Sequence, residues 1–161
     1  QSNYYVAYND GKFAIFDVYG NQISPGWFDR IYPFGFLRGE SNYYLVKEDE
    51  KYAIFDRDGN RITDWFDKIF PDGLVEGQTD YYIACNGNNC AIYHKNGQKV
   101  SEDFSREEIK EAEIIIFNDK LGIAEILDGY ENIIKSIEFT PVIKEEVIDY
   151  TKLLNIWKWF H

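Results

Sequence analysis

Apolar and polar positions alternate in short bursts along this chain, and the bursts recur. From Tyr4, "YYVAY" runs into the polar tetrad "NDGK", "FAIFD" returns, "VYGN" turns again and "QIS" leaves. Alternation with a period of two marks half-buried strands, and Gly-bearing tetrads between them mark hairpin turns. The same phrase restarts at Tyr43 as "YYLVKEDEKYAIFDRDGNRITDWFDKIFPD" and at Tyr81 as "YYIACNGNNCAIYHKNGQKVSEDFS", spaced 39 and then 38 residues. A degraded fourth version, "IIIFNDKLGIAEILDGYENI", starts near Ile114. Gly20, Gly59 and Gly97 recur at one place, as expected where a tight turn needs positive φ.

The pattern predicts a mainly β chain of tandem antiparallel three-stranded meanders. The copies run over about 4–42, 43–80 and 81–113, with the degraded one over 114–139. One meander buries too little to stand alone, so neighbouring copies are expected to stack. The third copy departs at "SREEIKEAE": Ser105 with Glu108 three residues later reads as a capping box before a short inserted helix. Residues 140–161 predict a C-terminal helix of the same domain. Thr140 stands at the cap and Pro141 at the first turn, with an apolar stripe of Ile143, Val147, Tyr150, Leu154 and Trp157. Its expected task is to cover the open end of the array.

At "DGKFAIFDVYGNQISPGWFDRIYPF" and again at "EKYAIFDRDGNRITDWFDKIFP" the chain resembles the WG repeat family, whose copies run roughly "dGKyGyIdktGkvvippkYDei..F". The resemblance covers about residues 4 to 128. Ala14, Ala53 and Ala91 stand where the family usually has Gly, and Gly122 keeps it. The resemblance implies bacterial β-hairpin arrays, often in exported or multi-domain proteins. It supplies no catalytic residues to carry over.

Composition narrows the function classes. The 161 residues suit one domain; 45% are hydrophobic and 18% aromatic, which argues against disorder and for pleated, half-buried surfaces. No apolar run is long enough to cross a bilayer as a helix. A formal charge of −11 opposes direct binding to nucleic-acid phosphates and leaves open a basic partner. The opening "QSN" has no signal-peptide character and reads as a processed or trimmed end, with a cleaved upstream signal left open.

Both cysteines lie in "CNGNNC". Alignment on the recurring "AI" dipeptide sets Cys85 where Tyr8 and Lys47 stand, and Cys90 where Phe13 and Tyr52 stand. These positions face each other across a hairpin, within reach of a disulfide, with two buried thiols as the alternative. A zinc site lacks further ligands, and the four-residue spacing does not match a thioredoxin-like motif. A disulfide would point to an oxidising compartment.

"DRDGNRITDWFD" sets Asp56, Asp58, Asn60, Asp64 and Asp67 at the spacing of an EF-hand loop, but Arg61 occupies the place of its obligatory Gly. Solvated turn carboxylates are the expected reading, and no metal or cofactor is expected. His94 and His161 have no nucleophile arranged around them, so the chain is not expected to be an enzyme.

"WFDRIYP" and "WFDKIFP" remain. Phe28, Phe66, Ile31 and Ile69 are expected to pack between copies. Trp27 and Trp65, with Arg30 and Lys68 beside them, are the candidate binding residues for a protein or surface-glycan partner. The function expected is therefore a non-catalytic binding module that is secreted, periplasmic or at the cell envelope. The alternative is an acidic cytoplasmic inhibitor that mimics nucleic acid.

Overall fold

The computed structural model describes residues 3–143 and 158–159. The fold is mainly β, made of several small antiparallel sheets. Strands β1 (Tyr4–Asn9) and β2 (Lys12–Asp17) form a two-stranded hairpin. Strand β3 (Arg30–Tyr32) joins β4 (Tyr43–Glu48) and β5 (Lys51–Asp56). Strand β6 (Lys68–Phe70) joins β7 (Tyr81–Asn86), β8 (Asn89–His94) and β9 (Phe104–Ser105). The last sheet holds β10 (Ile114–Asn118), β11 (Ile123–Leu127) and β12 (Ile133–Glu138).

Successive side chains on a strand point to opposite faces, so each hairpin has two apolar faces to bury. Ile15 of the first hairpin shares a core with Tyr44, Val46, Ala53 and Phe55 of the second. The opposite face of the second, Leu45 and Ile54, shares a core with Tyr82 and Ala84 of the third. Ile83, Cys85, Cys90 and Ile92 then meet Ala124, Ile126 and Ile137 of the last sheet. Sheets adjacent in sequence are thus adjacent in space.

In the first two phrases the third strand is not where alternation placed it, whereas the last sheet is a three-stranded meander in the order β10-β11-β12. Gln22 makes only a single bridge to Phe16. The ladder stops there because hydroxyls replace strand carbonyls as acceptors. Ser24 Oγ accepts the Ile15 N–H at 3.0 Å, Thr63 Oγ1 that of Ile54 at 3.1 Å, and Ser101 Oγ that of Ile92 at 2.8 Å. The paired third strands come later and cross to the following hairpin: Ile31 lies opposite Val46, and Ile69 opposite Ala84.

Two one-turn helices, α1 (Phe34–Leu37) and α2 (Asp72–Val75), follow Pro33 and Pro71 and were not predicted. They lie so close that a Cβ on Gly35 would sit 1.9 Å from the Val75 carbonyl oxygen. The predicted inserted helix is a single 3₁₀ turn, Arg106–Ile109. Ser105 caps it, accepting the Glu107 N–H at 3.2 Å. Glu108 leaves the expected capping box for Lys135, 2.6 Å away.

Residues 141–143 are not helical. The Thr140 N–H donates to the Val100 carbonyl at 2.8 Å and the Val142 N–H to the Tyr81 hydroxyl at 2.9 Å, which ties this stretch to the third sheet. The rest of the predicted C-terminal helix lies outside the described residues, apart from 158–159, which are helical. Among the described residues, no helix is long and apolar enough to cross a membrane.

Candidate functional site

The two tryptophans occupy different surroundings. Trp27 is 36% exposed and tilts over Phe16 at 5.8 Å, and Phe16 in turn stacks on Tyr5 at 5.8 Å. Tyr5, Phe16 and Trp27 therefore make one aromatic row on the outer face of the first hairpin. Trp65 is half-buried, edge-on to Phe55 at 6.1 Å, with the Arg61 guanidinium over it at 5.7 Å. Arg30 and Lys68 attend other rings. Arg30 lies over Phe13 at 5.5 Å, and Lys68 over Tyr52 at 5.8 Å and Phe70 at 5.2 Å.

The row on the first hairpin has buried counterparts. Tyr5 is 46% exposed, whereas Tyr44 and Tyr82, at the same place in the next two hairpins, are 0% and 1% exposed. What covers them is a short preceding segment. Phe36 meets Tyr44 edge-on at 5.3 Å, and Phe28 meets Phe55 at 5.3 Å; Phe66 meets Tyr93 at 5.3 Å. Among the described residues no such segment precedes the first hairpin. Burial pushes the Tyr44 and Tyr82 phenols well above the ordinary tyrosine range.

Asp29 and Asp67 fasten each segment to the hairpin it covers. The Lys12 ammonium lies 2.6 Å from Asp29 and 2.7 Å from Glu48. The second Asp29 oxygen accepts the Asp49 N–H at 2.9 Å, and the Asp29 N–H reaches Glu48 at 3.2 Å. One phrase later Lys51 pairs with Asp67, which accepts the Gly87 N–H at 2.6 Å, while the Asp67 N–H reaches Asn86 Oδ1 at 3.2 Å. The lysine hydrogen bonds hold Asp29 and Asp67 below the usual carboxylate range and raise Lys12 above its own. Asp29, Glu48 and Asp49 also bring three carboxylate oxygens within 4.8 Å, the one cation-sized group among the described residues. The Lys12 ammonium already supplies the positive charge there. This grouping joins residues far apart in sequence, and no local motif signals it.

Cys85 and Cys90 are joined by a disulfide, buried between the third and last sheets and in register across the hairpin. Tyr8 and Phe13 hold that place in the first hairpin, with ring centres 5.0 Å apart. The acidic stretch from Asp56 to Asp67 does not converge on one point. Asp56 accepts the Asp58 and Asn60 N–H groups, each at 2.9 Å, in a local turn. Asp17 does the same for Tyr19 and Asn21, and Asp128 for Tyr130 and Asn132. His94 Nδ1 takes that part in the third hairpin, accepting the Asn96 N–H at 3.1 Å.

No protein-family model and no curated protein matches this sequence. Two solved structures are similar at low scores. The Kluyveromyces lactis Hsv2 structure with a complete loop 6CD is 14% identical with a TM-score of 0.39, over 91% of this chain and 48% of that one. KlHsv2 with loop 6CD replaced by a Gly-Ser linker is 14% identical with a TM-score of 0.35, over 81% and 46%. The chain spans about half the length of both, and scores this low carry no argument about its function.

Proposed function

We propose that the chain is a WG-like tandem array and serves as a non-catalytic binding module for a protein or surface glycan, outside the cell or at a bacterial envelope. The observation that carries this reading is the row Tyr5–Phe16–Trp27, in which Tyr5 and Trp27 are exposed while the counterparts of Tyr5 in the next two hairpins, Tyr44 and Tyr82, are buried. Flat aromatic rings lose little rotamer freedom on contact, so an exposed row favours docking. Of the candidate residues, Trp27 belongs to this row; Trp65, Arg30 and Lys68 face internal rings. The Cys85–Cys90 disulfide supports an oxidising compartment. The acidic-mimic alternative has less behind it, because many carboxylates are engaged locally by lysines and turn amides.

The test is photo-crosslinking on the surface of the native host, with the wild-type chain and a Tyr5→Ser/Trp27→Ser variant as baits. A partner captured by the wild type and lost with the folded variant supports the reading. Equal capture by both removes it. Intact mass after alkylation without reduction, on protein from the host, tests the compartment: two added alkyl groups would argue against export.

A further inference from the structure

Segments 27–36 and 65–74 each form a joint with the following hairpin, and a groove opens beside each joint. The first groove is lined by residues of α1 and α2 and encloses about 320 Å³. Buried Leu45 and Ile69 give it apolar lining, and the exposed rings of Tyr32 and Phe34 border it. Asp72 and Glu76, both exposed, add carboxylate acceptors. A space of this size suits a small ligand or one unit of a chain.

Lys68 enters this groove from β6. Of the half-buried lysines among the described residues, Lys12, Lys47, Lys95 and Lys135 each meet a carboxylate. Lys68 meets none: its ammonium lies over the Tyr52 and Phe70 rings, at 5.8 and 5.2 Å. A ring face attracts the charge but supplies no oxygen for the N–H donors. In a chain with 28 acidic and 17 basic residues, a half-buried lysine without a carboxylate keeps its donors for an anion brought by a ligand.

The second groove serves as an internal comparison. It lies one phrase later, encloses about 110 Å³ and also includes Lys68. Phe70 stands there for Tyr32, but Asp72 stands for Phe34, so a carboxylate replaces the more exposed of the two rings.

Flat rings suit the apolar face of a pyranose, carboxylates accept from its hydroxyls, and a lone ammonium suits a carboxylate. We infer that the groove between α1 and α2 binds one carboxylated pyranose of an acidic glycan, stacked on Tyr32 and Phe34 with its carboxylate on the Lys68 ammonium. Asp72 and Glu76 accept from its ring hydroxyls. The site is made of residues other than the Tyr5–Phe16–Trp27 row, so either reading can fail without the other.

The probes are a galacturonic acid trimer, its methyl ester and a hyaluronan tetrasaccharide, titrated into the isotope-labelled full chain and followed by amide NMR. At least one acidic probe should give saturable shifts centred on residues 32–38, 45, 52 and 68–76, weakening as salt is added. Affinity for the trimer should fall about tenfold or more with the methyl ester or with Lys68→Gln, and return with Lys68→Arg. Phe34→Ser, at an exposed side chain, is the second variant should Lys68→Gln fail to fold, and it too should weaken binding. No shift with either acidic probe, shifts centred elsewhere, or equal binding by Lys68→Gln overturns the inference. The Tyr5→Ser/Trp27→Ser variant should bind the acidic probe as the wild type does; lost binding there would put the glycan on the aromatic row and overturn this site. Surface capture lost with that variant, but no binding of either acidic probe, would sink this inference alone.

Discussion

Tyr5 and Tyr44 occupy corresponding places in the first and second hairpins, yet Tyr5 is 46% exposed and Tyr44 is fully buried. Both sit on strands of the same alternation, and both touch the same kind of ring on the partner strand, Phe16 and Phe55. The difference comes from outside the hairpin. Phe28 and Phe36 lie over the second hairpin, whereas among the described residues only Trp27 leans on the same face of the first, against Phe16. In a stack of hairpins, a side chain's energetic weight is set by the unit before it as much as by its own strand.

The sharpest way to break this comparison is paired truncation. Tyr44→Ala should lower the free energy of unfolding by about 3–5 kcal/mol, as for other buried aromatics, and Tyr5→Ala by less than about 1 kcal/mol. Urea unfolding midpoints decide it, and similar losses would mean that Tyr5 is covered in solution. A second contrast sets the buried Cys85–Cys90 disulfide against the pair of exposed Tyr8 and half-buried Phe13. Replacing both cysteines by Ala should cost about 2 kcal/mol for so short a loop, and more than the double Ala change at Tyr8 and Phe13. Thermal unfolding of the two double variants would show it, and a reversed order would contradict it.

A smaller effect separates the last sheet from the rest. Glu131 takes φ 66° at the turn where the earlier hairpins have Gly20, Gly59 and Gly97. The hydrogen bond is the same: Glu131 N–H to Asp128, like Gly59 N–H to Asp56, each at 3.1 Å. Glu131→Gly should raise stability by up to about 1 kcal/mol, because a left-handed conformation strains a residue with a Cβ. Unchanged or lower stability would show that the cost is absorbed elsewhere.

The smallest effect is electrostatic. Asp29 and Asp67 have folded pKa values below their unfolded ones, chiefly through Lys12 and Lys51. Their contribution is therefore fully present above the unfolded carboxylate range and is lost as pH falls through the folded values. Asp29→Asn should flatten the acid limb of a stability–pH curve, with little change near neutrality beyond loss of the Lys12 pairing. An unaltered acid limb would discount this joint. Both groups are solvent-facing, so added salt should weaken the effect.

Strands and turns were legible in the residues because their signals are local. Period-two alternation located β1, β2, β4, β5, β7 and β8, and the recurring Gly located the positive-φ turns. The facing of Cys85 and Cys90 follows from the same alignment. The third strand was misplaced at "QIS", since nothing local says that Ser24 and Thr63 side chains take over the ladder's amides. The helices α1 and α2 went unread too, although "PFG" and "PDG" recur at Pro33 and Pro71. A Gly needed for close approach between two turns looks in sequence like any loop Gly.

Of the candidate site, the sequence carried the residue types and their spacing but not their exposure. Trp27 and Trp65 read alike, and the fold gives one to the surface and the other to an internal contact with Phe55 and Arg61. Arg30 and Lys68 were expected beside the tryptophans and instead lie over Phe13 and Tyr52. By itself, then, the sequence determined a mainly β chain, its hairpins, its turns and the facing of its cysteines, because backbone preference and alternation act between near neighbours. Only the tertiary structure decided which hairpin face is covered and which Asp meets which Lys. Those outcomes depend on segments contributed from 15 to 40 residues away, and at that range burial and register, not local propensity, set the result.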